Sequence, residues 1–181
     1  MDLTSIPREL NTRDLYLRPS RLSDAEGLFA MLSDAQSMKY WSHPPVNDVG
    51  DALQVLREDL ESGAQGKSLC WSVILNGQSE MMGKCILFQF SPANHRAEIG
   101  FVLNRKYWRQ GLMHQALEAM INFAFTTLKL HRIEADVDPL NAGSLGVLEK
   151  LGFEREGLFR DRWLLNDEWV DSVMLGLINP N

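Results

Sequence analysis

The chain has 181 residues, of which 45% are hydrophobic and 23% are charged, so it can bury a core without disulfides or a structural metal. Its 18 Lys and Arg against 24 Asp and Glu give a net charge of −6, which argues against a protein that coats nucleic acid and suits a cationic substrate. No segment approaches the roughly 18 apolar residues of a membrane helix, and the N-terminus lacks signal-peptide order. We therefore expect a cytoplasmic single domain spanning residues 1–181, with no membrane or direct nucleic-acid partner.

Cysteine and histidine are sparse and scattered. Cys70 and Cys85 each lie inside an apolar segment, which predicts two free, buried thiols. The four histidines are too dispersed to form a ligand set, so we expect no metal site.

The first half of the chain predicts a meander of strands with two helices. Ser23 and Glu26 have the spacing of a capping box, in which each side chain bonds an amide at the start of a helix. Asn76-Gly77 is a strong hairpin signal. The predicted elements are a strand over 11–19, a helix from Ser23, a loop over 40–45, a helix over 48–62, and strands over 68–75 and 81–90.

The second half changes from a period of two residues to a helical period. The predicted elements are a strand over 97–103, a long helix after Gly111, a strand over 132–137, a short helix over 141–150 that ends at Gly152, and two strands that turn near Asn166-Asp167. This order predicts a layered α/β domain with a β-α-β crossover in its second half.

One junction has the features of a phosphate site. Residues 104–111 join a strand to a helix that begins at a glycine, and a helix start offers free amides and positive potential. No acidic residue lies between Glu98 and Glu118, although Arg105, Lys106 and Arg109 do. The alternative is an ordinary turn with solvated charges.

A second segment, 138–146, begins the short helix. Asn141 suits an N-cap and Ser144 the first turn. Gly143 and Gly146 each cost about 1 kcal/mol in a helix relative to alanine, which indicates close approach of another group to the backbone. The alternative is that Asn141 and Ser144 only cap the helix.

These segments, in this order, resemble the GNAT superfamily of acetyl-CoA-dependent N-acetyltransferases, and within it the ribosomal-protein-alanine N-acetyltransferases. The residues that carry the resemblance are Leu17-Arg18-Pro19, Arg96-Ala97-Glu98-Ile99-Gly100-Phe101, Tyr107-Trp108-Arg109-Gln110-Gly111-Leu112, His131-Arg132-Ile133-Glu134-Ala135, Asn141 with Ser144, Val147-Leu148-Glu149-Lys150-Leu151-Gly152-Phe153, and Trp169-Val170-Asp171-Ser172.

The resemblance implies a three-layer α/β/α fold with a mixed, mostly antiparallel sheet of 6–7 strands. It also implies acetyl-CoA held where the strand ending near Leu103 splays from the strand ending near Val137. Two residues depart from the family pattern: Arg109 replaces a common glycine, and Met113 replaces a small residue. The implied cofactor-binding residues are Phe101, Val102, Leu103, Arg109, Gln110, Gly111, Leu112, Met113, Asn141, Ser144 and Lys150.

Acyl transfer to an amine needs a base, an oxyanion donor and a proton for the departing thiolate. We predict Glu98 as the base, strand amides over 101–103 as oxyanion donors, and Ser144 or a nearby tyrosine as the acid. The alternative for Glu98 is a surface carboxylate paired with Arg96 or Arg132. Asp161 is a secondary candidate for the base.

The loop before the second helix is expected to form one wall of the acceptor cleft through Tyr40, Trp41 and His43, with packing as the main role of Trp41. An α-amine has a pKa near 7.7–8.0 against about 10.4 for lysine, so it needs a weaker base. The expected function is acetylation of a protein N-terminus, such as that of a ribosomal protein. The alternatives are a small amine (polyamine, amino acid or aminoglycoside) and a non-catalytic acyl-CoA-binding protein; a homodimer is left open.

Overall fold

A computed structural model of the chain describes residues 6, 8–41, 44–165 and 167–180. None of the helices in this part of the chain is long and apolar enough to cross a membrane. The strands and helices are β1 (Leu10–Asn11), β2 (Leu15–Pro19), α1 (Ala25–Leu32), α2 (Val49–Ala64), β3 (Leu69–Leu75), β4 (Met81–Ser91), β5 (Arg96–Leu103), α3 (Leu112–Thr126), β6 (Arg132–Val137), α4 (Ala142–Lys150), β7 (Glu154–Leu165) and β8 (Glu168–Ile178).

The strands form one sheet in the order β1-β2-β3-β4-β5-β6-β8-β7. Every neighbouring pair is antiparallel except β5 and β6, which are parallel and joined through α3. The predicted α/β class, the mixed sheet and the crossover are confirmed. The described sheet has eight strands rather than six or seven.

Part of this difference lies at the start of the chain, where the predicted strand over 11–19 is divided. Thr12 and Leu15 close a tight turn, with the Leu15 amide donating to Thr12 Oγ1 at 2.9 Å and the Thr12 amide to the Leu15 carbonyl at 2.8 Å. β1 and β2 are therefore a short hairpin in which Leu10 lies opposite Leu17.

Two hydrophobic clusters cover the two faces of the sheet. The larger contains α3 and α4 and takes alternate residues of β5, including Ala97 and Ile99. The smaller contains α1 and α2 and takes Val102 from the other face of β5. Because side chains alternate along a strand, this partition gives three layers with the sheet in the middle.

The start of α1 differs from the predicted Ser23–Glu26 capping box. Asp24, which is buried, accepts hydrogen bonds from the Arg18 guanidinium at 2.7 and 2.9 Å, the Ser72 hydroxyl at 2.6 Å and the Arg21 amide at 2.8 Å. A buried guanidinium needs a carboxylate partner, and Asp24 supplies it while closing the turn before α1. The predicted box is therefore wrong, and Asp24 takes its place.

The parallel strands β5 and β6 are paired only over their first three residues, from Arg96 opposite Arg132 to Glu98 opposite Glu134. Beyond that point β5 continues to Leu103 in pairing with β4 alone, while β6 continues in pairing with β8. The two strands therefore separate and leave an opening in the middle of the sheet.

Candidate active site

The edge of β5 that faces this opening has backbone amides without a partner among the described residues. The Asn104 amide donates to the Met82 carbonyl at 2.9 Å, and hydrogen-bonding direction alternates along an antiparallel strand. Even-numbered residues of β5 therefore bond to β4, whereas the amides of Phe101 and Leu103 face the opening. The amide and carbonyl of one residue point to the same side of an antiparallel strand. In agreement with this direction, the Leu103 carbonyl accepts a hydrogen bond from Trp108 Nε1 at 2.7 Å and not one from β4.

This geometry narrows the predicted oxyanion donors to Phe101 and Leu103. Val102 directs its amide to β4, and its side chain is buried among residues of α1 and α2. Any contact of Val102 with a ligand in the opening would therefore not involve its amide.

The start of α3 has the properties of an anion site. Gly111 is the N-cap, with φ of 76°. No side chain of the described residues caps the helix, and its first turn holds no acidic residue. The side chains of Leu112 and Met113 are buried, the latter with its sulfur 3.7 Å from Cys85 Sγ, so these residues can offer a ligand only their backbone. Free amides at the positive end of a 15-residue helix suit a diphosphate.

Arg109, which the resemblance implies in place of a glycine, has a left-handed backbone. Its φ of 61° lies in the left-handed region, which costs an L-residue roughly 1–2 kcal/mol. The loop that leads into α3 therefore retains a conformation that favours glycine. The side chains of Arg109 and Gln110 are exposed beside the helix start.

Asn141 and Ser144 form the cap of α4 that the sequence predicts. Asn141 Oδ1 accepts from the Ser144 amide at 3.1 Å. The half-buried Ser144 hydroxyl has no hydrogen-bond partner among the described residues. A Cβ on Gly146 would meet nothing within 4 Å, so no part of the described protein occupies the space beside it. Lys150 is exposed in the last turn.

Glu98 lies on the face of β5 that points toward α1 and α2, whereas Ser144 lies with α4 on the opposite side of the sheet. A molecule that reached both side chains would pass through the opening between β5 and β6. The two predicted catalytic residues therefore lie on opposite faces of the sheet.

The environment of Glu98 disfavours its charged form. Glu98 is half-buried and lies opposite Glu134, with Asp136 two residues further along the same face of β6. Burial, followed by the charges of Asp136 and Glu134, raises the pKa of Glu98 to about 7, against the weaker opposing influence of Arg162 and Arg96. A carboxyl with a pKa near neutrality is a suitable general base.

The predicted alternative, in which Glu98 pairs with Arg96 or Arg132, is wrong. Arg96 forms an ion pair with Glu134. Arg132 donates to Glu134 at 2.8 Å and also binds Glu156 on β7 through two hydrogen bonds. Both guanidinium groups therefore bind the neighbouring carboxylates, and Glu98 has no ion pair among the described residues.

Asp136 is held by donors from β7 and β8. It accepts a hydrogen bond from the Ser172 hydroxyl and one from Trp163 Nε1 at 3.4 Å, and Arg162 Nε lies 3.6 Å from its other oxygen. Sequence reasoning did not assign these residues to the site. One signal in the sequence could have pointed to Asp136: polar and apolar residues alternate along residues 132–137, which places Glu134 and Asp136 on one face of the strand.

Asp161, the secondary candidate for the base, lies on a bulge of β7. Its φ is 51°, and its amide donates to Asp171 Oδ1 at 3.0 Å.

Among the residues that the structure describes, no three His, Cys, Asp or Glu side chains are grouped so as to hold a metal ion. Cys70 and Cys85 are free and buried, as predicted.

The predicted acceptor wall is described in part. Trp41 is half-buried and packs against the cluster of α1 and α2 that contains Val102, so its predicted packing role is confirmed. Tyr40 is half-buried beneath the Lys39 ammonium group, which lies 5.1 Å from its ring centroid. His43 lies outside the described residues.

Comparison with known proteins identifies a family. The model of the family described as "Acetyltransferase (GNAT) domain" matches residues 14–154. The chain is 34% identical over 169 residues to the "Uncharacterized N-acetyltransferase p20" of Bacillus licheniformis, covering 93% of this chain and 95% of that protein. Its structure resembles a GNAT-family acetyltransferase from Bacillus anthracis, with a TM-score of 0.84, 29% identity, and 94% and 98% of the two chains covered.

Relatives with named acceptors are more distant or match over a shorter length. The "[Ribosomal protein uS5]-alanine N-acetyltransferase" of Escherichia coli is 37% identical over 87 residues, covering 48% of this chain and 45% of that protein. The spermidine N(1)-acetyltransferase of Escherichia coli is 21% identical, covering 91% of this chain and 86% of that protein. The fold is shared with Mycobacterium smegmatis RimJ in complex with CoA-disulfide, with a TM-score of 0.87, 24% identity, and 97% and 90% of the chains covered.

Proposed function

The chain belongs to the GNAT acetyltransferase family, and from this premise we propose that it transfers an acetyl group from acetyl-CoA to a primary amine, preferentially the α-amine of a protein N-terminus. The observation that carries the proposal is Glu98, a half-buried carboxylate without an ion pair among the described residues, beside an open strand edge. The partial match to the uS5-alanine enzyme supports a ribosomal-protein acceptor.

Backbone amides and side chains at the start of α3, on β5 and at α4 suit different parts of acetyl-CoA. The amides at Gly111, Leu112 and Met113 would hold the diphosphate, with Arg109 and Gln110 beside it. The free edge of β5 would pair with the amide-containing arm, and Asn141 at the start of α4 and Lys150 in its last turn would contact other parts of the cofactor. Solved structures of the same fold that contain CoA support acetyl-CoA as the donor.

Glu98 would remove the proton from the attacking ammonium group. Transfer from an α-ammonium with a pKa near 8 to a carboxylate with a pKa of about 7 is uphill by about 1.4 kcal/mol. The same transfer from a lysine ammonium is uphill by about 4.6 kcal/mol. The α-amine is therefore the better acceptor for this base.

The remaining steps need one hydrogen-bond donor and one acid. The thioester supplies the activated acetyl group, and a β5 amide, at Phe101 or Leu103, would stabilise negative charge on its oxygen by about 3 kcal/mol. The Ser144 hydroxyl would donate a proton toward the departing sulfur. Because a thiol has a pKa near 8.5, this assistance is secondary.

Gln110→Glu should raise the KM for acetyl-CoA about fivefold, because it adds a negative charge beside the diphosphate. Acetylpantetheine, which lacks the diphosphate, should be used equally well by wild type and variant. The matched control is Gln110→Met, which also removes the hydrogen bond from Gln110 to the Lys106 carbonyl but adds no charge. An equal rise in KM for both donors would place the diphosphate elsewhere.

The acceptor is tested by thiol release from acetyl-CoA in the presence of a panel of amines. The panel contains peptides with free Ala, Ser or Met N-termini, lysine peptides with blocked N-termini, polyamines, amino acids and aminoglycosides. Selective turnover of the free N-termini is expected. Selective turnover of a polyamine would favour the second candidate, which the long alignment with the spermidine enzyme supports. Acetyl-CoA binding with no turnover of any amine would overturn both and favour a non-catalytic role.

A further inference from the structure

The charges around Glu98 already have partners. Three carboxylates and three guanidinium groups lie across β5, β6 and β7 in two groups: Arg96, Glu134, Arg132 and Glu156 form one chain of ion pairs, and Arg162 pairs with Asp136. Glu98 lies beside these groups and has no ion pair among the described residues, so its carboxylate can meet an incoming cation.

Arg162 pairs with Asp136, which lies on the same face of the sheet as Glu98, and the charge of Arg162 opposes the rise in the pKa of Glu98. Its guanidinium carbon lies 5.5 Å from the ring centroid of Phe159 and 5.4 Å from that of Trp163. These two rings and Asp136 hold the guanidinium group in place, although the side chain remains about half exposed. A register shift of β7 between Phe159 and Trp163 forms the bulge that carries Arg162.

From this arrangement we propose that Arg162 is a specificity-determining residue that rejects acceptors carrying a second positive charge near the reacting amine. The inference rests on the proposed function, because it takes Glu98 as the group that meets the reacting ammonium. A second ammonium group within a few ångströms would face the Arg162 guanidinium, while the neighbouring carboxylates already have cationic partners. Polyamines are thereby disfavoured against monocationic N-termini.

The repulsion should be measurable but moderate. Two like charges several ångströms apart at a half-exposed site change a rate or a binding constant by about tenfold. Wild-type kcat/KM should therefore be about tenfold lower for a peptide that begins Ala-Lys than for one that begins Ala-Gln. Spermidine should be disfavoured by a similar or larger factor.

Arg162→Glu should reverse this preference and favour the Ala-Lys peptide and spermidine. The matched control is Arg160→Glu, which makes the same charge change two residues away, at an exposed arginine without an ion pair among the described residues. The control should keep the wild-type ratio. Spermidine binding by calorimetry provides a second readout that needs no turnover, and Arg162→Glu should bind spermidine more tightly than Arg160→Glu does.

The outcomes separate the inference from the proposed function. Absence of acetyl transfer to every amine refutes the proposed function, while the calorimetric comparison still decides the role of Arg162. Equal use of Ala-Lys and Ala-Gln peptides by the wild type, or equal shifts in the two arginine variants, refutes the specificity role even where turnover is fast.

Discussion

Glu98→Gln is expected to slow acetyl transfer at least a hundredfold and, at the same time, to stabilise the folded protein above pH 7. The rate falls because glutamine cannot accept a proton from the ammonium group, and general-base catalysis contributes roughly 10²–10⁴-fold. The wild-type rate should rise with pH through about 7, where Glu98 ionises. The variant should lose this step in its pH profile.

The stability gain follows from the raised pKa of Glu98. The carboxyl group titrates near 4.5 in the unfolded chain and near 7 in the fold, so its protonated state is favoured by folding. Its contribution to stability is complete below pH 4.5 and is lost as the pH rises to 7 and above, where the charged group is held among other carboxylates. Because Glu98 is partly exposed, we discount the full shift and expect Glu98→Gln to gain about 1–2 kcal/mol at pH 8 and nothing near pH 4.

Chemical unfolding at pH 4 and pH 8 measures the change in stability, and steady-state kinetics measures the change in the rate of acetyl transfer. The matched control is Glu154→Gln on β7, an exposed glutamate without an ion pair among the described residues, which should change neither. Wild-type kinetics in Glu98→Gln would remove Glu98 from the base role. A slow variant without the stability gain at pH 8 would instead contradict the raised pKa.

Local signals in the sequence were sufficient for most elements and for the cap of α4. Asn141 caps α4, because a short polar side chain at this position has an amide of the first turn within reach. The strand over 132–137 is found with its predicted bounds, since apolar and polar residues alternate throughout it. Such signals extend over a few residues only.

The ion pairs around Glu98 could not be predicted from such local sequence patterns. Which arginine binds which carboxylate depends on β8 lying between β6 and β7, an order that local patterns do not encode. Arg132 reaches Glu156 across β8 because Gly176 leaves space there; a Cβ on Gly176 would lie 2.5 Å from Glu156 Oε1. Ser172 likewise meets Asp136 only through the pairing of β6 with β8.

Asp24→Ala should cost about 3–5 kcal/mol of unfolding free energy, because it leaves the buried Arg18 guanidinium without its partner. Hydrogen bonds from Arg18, Ser72 and the Arg21 amide overcome the effect of burial and lower the pKa of Asp24, so the carboxylate is ionised at neutral pH. Urea unfolding at pH 7 measures the loss. Glu149→Ala is the matched control, because the exposed Arg155–Glu149 pair also joins a guanidinium group to a carboxylate and should contribute little at the surface.

The double variant Arg18→Leu with Asp24→Leu distinguishes an unpaired charge from a lost contact. Removing both charges should recover much of the stability that Asp24→Ala loses, because an apolar pair of similar volume needs no partner. A double variant as unstable as Asp24→Ala would show instead that the bonds from Asp24 to Ser72 and to the Arg21 amide dominate. These bonds fix the start of α1, and Leu28 and Met31 of α1 belong to the hydrophobic cluster against which Trp41 of the acceptor wall packs. That outcome should therefore also raise the KM for the amine.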